Sequence, residues 1–452
     1  MKSSARLSIY DLKRKAKRFQ RDLKIKTAKR QRIARQQLRS GKVPIAISSI
    51  VRRISSQEPR RKYRKYETFK LPRTFSFLED PEQALSTIHE ITSALTNRRC
   101  RSIQLNYQHC RRYSLGSEAL LGVLGRVIKH QKRTNGRTVT INGVYPSEPN
   151  HTEIVRDVGI VKEIDADKEH RDLADTKQQF IFMKEKTSTA KGSAYARDDK
   201  NQTSENFVKY INDCLAESIS KKLTEKACRT LKSCVSELLD NAERHAMDKQ
   251  QGKWYVRAHV NFSHEHPSCE IVIFNFGKTI AATYDGLSAE HFSYNQQVKP
   301  YVERHIGVRG LTREALITVA SLQGRVSCKN NDERRTCGTG TVELLNFFQE
   351  LHDDICSSGL MKNNDLRPLM ALMSGNTWIK FDGTYRLSFT NDDWNDGLDD
   401  RSLEQAIYPL NDTPGKLADP PDTEFVKSLD TGFFPGVMIN IRFPLEVTRD
   451  QV

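Results

Sequence analysis

Apolar residues recur along this chain at two spacings, three to four residues apart and two apart, and the switches between them mark out its elements. Asp80 to Leu95 carries Ala84, Leu85, Ile88, Ile91 and Leu95 at helical spacing, and Arg101 to Tyr107 alternates as a strand. Ser117 stands as an N-cap before a helix from Glu118 to Lys132, whose apolar face is Leu120, Leu121, Leu124 and Ile128. Arg137 to Asn142 reads as a second strand, stopped by Gly143 and a loop containing Pro146, and a short helix begins at Ile154. Residues 165–205 are polar without a period and read as a partly helical or flexible connection.

The second half opens on Thr224 to Met247, where Ala227, Leu231, Cys234, Val235, Leu238, Leu239 and Ala242 form one apolar helical face. Lys253–Phe262 and Cys269–Asn275 alternate as strands. A helix from Thr312 to Leu322, a strand near Gly324–Lys329 and a helix from Val342 to Leu351 follow. Ala371–Phe381 and Tyr385–Phe389 are strand-like, and the acidic, turn-rich stretch 391–434 reads as a surface insertion. The alternation of both periods predicts an α/β protein.

Composition narrows the class. With 452 residues, 37% hydrophobic and 29% charged, the chain suits two or three soluble globular domains. No run approaches the roughly 20 apolar residues that a membrane helix needs. Lys and Arg interrupt every candidate signal-peptide core, so no membrane partner and a cytoplasmic location are expected. The nine cysteines include no C-x-x-C pair, which predicts reduced core thiols in place of a zinc site or disulfide framework. His264 and His266 fall in a turn without further ligands at a metal-binding spacing.

Charge divides the chain. The first 70 residues hold 24 Lys and Arg against 4 Asp and Glu, a net +20, which leaves −3 for the rest of a chain whose total is +17. Ile9 to Gln37 has helix formers without Gly or Pro, and Arg60-Arg61-Lys62-Tyr63-Arg64-Lys65-Tyr66 interleaves cations with tyrosines. Residues 1–70 therefore read as a basic, partly helical N-terminal arm. Cations neutralise phosphates and tyrosines stack on bases, so nucleic acid or another polyanion is the expected partner.

The candidate chemistry lies on the helix 224–247. At 100° per residue, Glu237, Asn241 and Arg244 share a stripe beside the apolar face, with His245 at its edge. An amide oxygen is a hard ligand that suits Mg2+, a carboxylate one turn earlier can orient or deprotonate an attacking hydroxyl, and a cation compensates phosphate charge. Ser236-Glu237-Leu238-Leu239-Asp240-Asn241-Ala242-Glu243-Arg244-His245 resembles the N-box of the GHKL ATPases, the family of histidine kinases and gyrase B. The resemblance implies Asn241 as the Mg2+ ligand and Glu237 as the general base of an ATP site. Asn275-Phe276-Gly277-Lys278-Thr279 stands where that family carries D-x-G-x-G, with Asn275 in place of the adenine-binding Asp and Thr279 in place of the second Gly. Gly338-Thr339-Gly340-Thr341, before a helix, stands where the family places its phosphate-binding G-x-G. Residues 281–337, with Arg304, Arg309 and Arg313, would form an enlarged ATP lid.

By this resemblance residues 206–452 form a two-layer α/β sandwich (the GHKL, or Bergerat, fold), a mixed sheet with helices on one face, and Gly436–Pro444 resembles its last strand. The β-α-β-loop-α order of residues 71–170 is similar to STAS domains, which pair with GHKL kinases in bacterial anti-sigma-factor systems, and residues 171–205 link the two. STAS phosphoacceptor loops carry Asp-Ser-Ser-Gly or Asp-Ser-Thr-Gly. The stretch Arg112-Tyr113-Ser114-Leu115-Gly116-Ser117 lacks the Asp, which makes Ser117 a helix cap before it is an acceptor. The implied function is an Mg-ATP-dependent regulatory switch, with a homodimer and a protein partner at the STAS-like domain among its implied contacts. The alternatives are a serine, partner-switching kinase and a nucleic-acid-binding protein whose ATP pocket does not hydrolyse.

Overall fold

The computed structural model describes residues 62–134, 136–165, 181–185, 193–219, 222–244, 254–261, 268–288, 290–330, 339–357, 367–389, 406–413 and 416–444. The chain up to residue 61, including the expected basic helix, lies outside them, as do His264 and His266.

The first folded unit runs β1 (Tyr66–Lys70), β2 (Thr74–Phe75), α1 (Pro81–Thr96), β3 (Ser102–Asn106), β4 (Arg112–Tyr113), α2 (Leu115–Thr134), β5 (Thr140–Val144), α3 (Pro149–Asp157) and α4 (Ile160–Asp165). Its sheet has the order β1-β3-β5 with parallel pairs, as βαβ crossovers require. Pro81 opens α1 and Asp80 caps it, accepting a hydrogen bond from the Gln83 N–H at 3.1 Å. Helix α2 begins three residues before its expected start. Its cap is Ser114, whose Oγ accepts the Ser117 N–H at 3.3 Å. Ser117 is a buried first-turn residue whose hydroxyl donates to the Phe75 carbonyl at 2.6 Å. The serine expected to cap the helix is therefore inside it, and its hydroxyl is closed to solvent.

The second unit continues through β6 (Ile181–Glu185), α5 (Ser193–Ile219), α6 (Glu225–Arg244), β7 (Trp254–Asn261), β8 (Ser268–Phe276), α7 (Ile280–Asp285), α8 (Lys299–His305) and α9 (Arg313–Ala320). It closes with α10 (Thr339–Ser357), β9 (Leu369–Gly375), β10 (Thr377–Phe381), β11 (Ser388–Phe389), β12 (Ala406–Ile407), β13 (Val426–Ser428) and β14 (Phe434–Pro444). Seven strands form one sheet in the order β13-β10-β9-β14-β8-β7-β6, antiparallel at every pairing.

Four expectations change here. The large sheet is antiparallel where a mixed sheet was expected. The stretch expected as a linker, 171–205, supplies edge strand β6 and the first turns of α5. The stretch expected as a surface insertion, 391–434, supplies β13 on the opposite edge and buries Tyr408, Leu410 and Phe425. Gly324–Lys329 forms turns in place of a strand.

The large sheet is also covered on both faces, where helices on one face were expected. Helices α5 and α6 bury Phe207, Ile211, Leu231, Val235 and Leu239 against Val256, Ile271 and Ile273. Helices α7 and α9, which belong to the expected lid, bury Tyr284, Leu316 and Val319 in a core shared with Leu372, Ile379 and Ile439. The opposite face takes α2 of the first unit, and Leu120, Leu124, Tyr255, Val272, Phe274 and Met438 fall in one continuous core. The two units are thus layers of a single body.

Charges cross that junction in pairs. Glu163 on α4, fully buried, accepts from Arg257 of β7 at 2.8 Å and pairs with Arg126 of α2 at 3.0 Å. Glu270 of β8 accepts the Leu115 N–H at the start of α2 at 2.6 Å, and the Asn440 amide and Arg442 guanidinium of β14 at 2.9 Å each. Gly116 lies so close that a Cβ there would sit 2.5 Å from Asn440 Oδ1, so this helix start can meet the sheet only without a side chain.

The same face makes stability pH-dependent. Burial pushes His259 of β7 down to about 4, with Asp157 opposing weakly. The folded chain keeps His259 neutral, whereas the unfolded chain protonates it below about pH 6.5. Stability is therefore unaffected above pH 6.5 and falls as pH drops toward 4, by about 3 kcal/mol in all. Denaturant titrations at a series of pH values should show that acid limb in the wild type and a flatter one in His259→Gln.

Candidate functional site

On the face opposite the first unit, a cavity of about 420 Å³ opens between α6, β8, α7, the 321–329 turns and the start of α10. Helix α6 lies there because its apolar stripe is buried against the sheet, which fixes the rotation of everything else on it. Asp240 and Glu243 are turned to α5, where Lys200 pairs with both. Glu237 and Asn241 are turned to the cavity and line it. Neither side chain has a hydrogen bond or ion pair with a described residue.

Asn275 comes from the end of β8 and is buried. Its amide donates to the Ala242 carbonyl of α6 at 3.1 Å, and its oxygen accepts the Val437 N–H at 3.3 Å. It therefore ties the helix to β14 while lining the cavity, and its oxygen keeps a second lone pair. Gly340 and Thr341, in the first turn of α10, close the cavity beside Glu237. A Cβ on Gly340 would lie 2.8 Å from Glu237 Oε2 and 3.1 Å from its Cβ, so glycine is what lets α10 approach α6.

Five of the ten sequence-derived site residues, Glu237, Asn241, Asn275, Gly340 and Thr341, thus meet around one cavity. Gly277 does not line it and donates its N–H to the Pro435 carbonyl at 3.0 Å. Thr339 opens α10 and Arg244 closes α6, but their side chains lie outside the described residues, and so do His245 and Gly338 entirely. Thr279, at the family's second-Gly position, caps α7 by accepting the Ala282 N–H at 3.1 Å. Arg313 pairs with Asp285 and Tyr294, and neither Arg304 nor Arg309 lines the cavity.

The lysines that do line it, Lys278 and Lys329, were not singled out from sequence. Lys278 directly follows Gly277, so its place in the motif was a usable signal. Lys329 arrives through the turns after α9, which periodicity does not reveal. The walls are Leu238, Ile273, Tyr284, Leu322, Leu372 and Ile439. Burial pushes the Tyr284 phenol up, which keeps it protonated, and pushes the Cys234 thiol of α6 up to about 12, which keeps it unreactive.

Apolar walls, one carboxylate, two amides, two ammonium groups and a helix start suit a ligand with an apolar part and an anionic part. Among the described residues no group of three or more His, Cys, Asp and Glu could hold a metal ion, and no helix is long and apolar enough to cross a membrane. Comparison with protein-family models, with curated proteins and with solved structures found no match for this chain.

Proposed function

We propose that this cavity binds ATP with Mg2+ and that the chain is a nucleotide-dependent regulatory switch of GHKL type, with the STAS-like unit as its partner-facing layer. The observation that carries the reading is the convergence of Glu237, Asn241, Asn275, Gly340 and Thr341, from three separated stretches, on one cavity. The base would lie against Ile273, Leu372 and Ile439. With one amide N–H committed to Ala242, Asn275 keeps a second lone pair on its oxygen as an acceptor, which suits a base presenting an exocyclic amine. The phosphates would meet the N-terminus of α10, Lys278 and Lys329.

Asn241 fits a metal that keeps most of its shell as water and phosphate oxygen, since the described residues offer no all-protein cage. Mg2+ bound there would neutralise phosphate charge. Glu237 would hold the attacking water and take its proton. The burial of Ser117 argues against it as an acceptor, so a kinase version of the site would need a different hydroxyl.

The test is Mg2+-dependent binding of ATP by calorimetry, with wild type and Asn241→Ala side by side. Wild type is expected to bind with Mg2+, and Asn241→Ala to lose about tenfold or more, as removal of one ligand to a charged centre implies. A wild type that binds no ATP at any Mg2+ concentration would end the nucleotide reading.

A further inference from the structure

The three-stranded sheet of the first unit has one face buried under α1 and α2 and one face open. Along β1, β3 and β5 the burial alternates, so Tyr66, Ser102 and Thr140 form one row on the open face and Thr68, Gln104 and Asn142 the next. These rows carry no charge. Tyr66 is 65% exposed, a large ring left in solvent.

The strand starts beside that face are basic. Lys65 precedes β1, Arg101 precedes β3 and Arg137 leads into β5. Backbone hydrogen bonds hold them together: the Arg101 N–H donates to the Lys65 carbonyl at 2.9 Å, and the Thr140 N–H to the Arg101 carbonyl at 2.9 Å. Arg98 and Arg99 project from the turn before β3, which buried Lys132 braces by donating to the Asn97 and Cys100 carbonyls at 3.0 and 3.1 Å.

Several exposed cations of the second unit are paired with carboxylates: Lys226 with Glu350, Arg229 with Glu225, Lys232 with Glu205 and Arg386 with Asp353. Arg64, Lys65, Arg98, Arg99, Arg101 and Arg137 are all exposed, and none forms an ion pair with a described residue. Glu67, in the middle of this set, is turned toward the inner face and accepts the Arg64 N–H at 2.5 Å. Six uncompensated cations within a few strand spacings of about 4.8 Å constitute a strong local field.

We propose that this basic rim and open face bind a single-stranded polynucleotide. The cations take the phosphodiester backbone, Tyr66 stacks on a base, and the Thr68, Gln104 and Asn142 row offers neutral hydrogen-bonding groups to base edges. The aromatic-bearing face, whose two rows from Tyr66 and Thr68 carry no charge, favours a single strand over a duplex, whose bases are closed to stacking. The surface lies on the far side of the first unit from the nucleotide cavity and does not depend on it. Lys62, next to Tyr63 and Arg64 before β1, closes the basic stretch Arg60-Arg61-Lys62 of the sequence.

The experiment uses the full chain and fluorescein-labelled 20-nucleotide probes: single-stranded DNA, single-stranded RNA and duplex DNA of the same sequence, read by anisotropy across a salt series. Arg98→Gln/Arg99→Gln/Arg101→Gln should weaken single-strand binding about tenfold or more near 0.1 M salt and reduce the slope of log K against log salt by about 2. Tyr66→Ala should weaken it about fivefold or more with the slope unchanged. The matched control, Lys226→Gln/Arg229→Gln/Lys232→Gln, removes the same charge from α6 and should change little. A preference between the DNA and RNA strands assigns the sugar and supports the proposal either way. The proposal is overturned if the two triple variants behave alike, if Tyr66→Ala binds single strands as wild type does, or if only duplex is bound. It is also overturned if phosphatidylserine vesicles bind the rim while no oligonucleotide does.

Discussion

Glu237→Gln is expected to leave Mg-ATP bound and to slow its turnover by about 10²–10⁴-fold, the usual worth of a positioned general base. The carboxylate lines the cavity and has no hydrogen bond or ion pair with a described residue, so its proton-accepting oxygen is available to a ligand or water. Glutamine keeps the shape that Gly340 packs against, where a Cβ would stand only 2.8 Å from Glu237 Oε2, but it accepts no proton near neutral pH. Single-turnover measurements at saturating ATP separate the two steps. Unchanged turnover would remove Glu237 as the base. Loss of binding with turnover intact per bound nucleotide would reassign it to holding the ligand. A wild type that binds without turnover would favour the non-hydrolysing alternative.

Glu163→Ala is expected to cost about 3–5 kcal/mol of stability, because it leaves Arg257 charged and buried without its carboxylate. Arg257 is fully buried, and it also donates to the Lys184 and Val256 carbonyls, each at 2.9 Å, and lies over the Tyr255 ring, neutral groups that do not replace a carboxylate. A whole protein is typically stable by only about 5–15 kcal/mol, so this substitution alone could remove a large part of that margin. Replacing Glu163 and Arg257 together by apolar residues should recover most of the loss. Chemical denaturation of both singles and the double decides it. If Glu163→Ala unfolds at the wild-type midpoint, water reaches this junction and the pair is not a clamp.

The elements themselves were largely legible, and one physical reason covers the successes: where one face is buried, the side-chain period records it. Helix α6 was read from its apolar stripe within a few residues at each end, β7 and β8 from alternation, and β14 from its likeness to a family strand. The same stripe gave the rotation that turns Glu237 and Asn241 to one side. Two short segments, β6 and β13, went unread because each has five or fewer residues and gains its stability from pairing with a distant edge, which no local window contains. Ser117 was misplaced by three residues because Ser114 offers the same capping chemistry one turn earlier.

What the sequence determined by itself, then, is local: most of the helices and strands, that positive charge gathers in the first 70 residues, and that one helix presents a carboxylate and an amide on a shared stripe. What only the tertiary structure decided is which side of each element meets water. Tyr255, Arg257 and His259 alternate with apolar residues along β7 as a solvent-facing side would, and Glu270 does the same on β8, yet all four are buried under the first unit. Period reports that two faces differ, but it cannot say whether the polar one is hydrated or paired with charges from a hundred residues away. That depends on Glu163, Leu115 and Arg442 arriving with complementary groups, which is a property of the folded contacts alone.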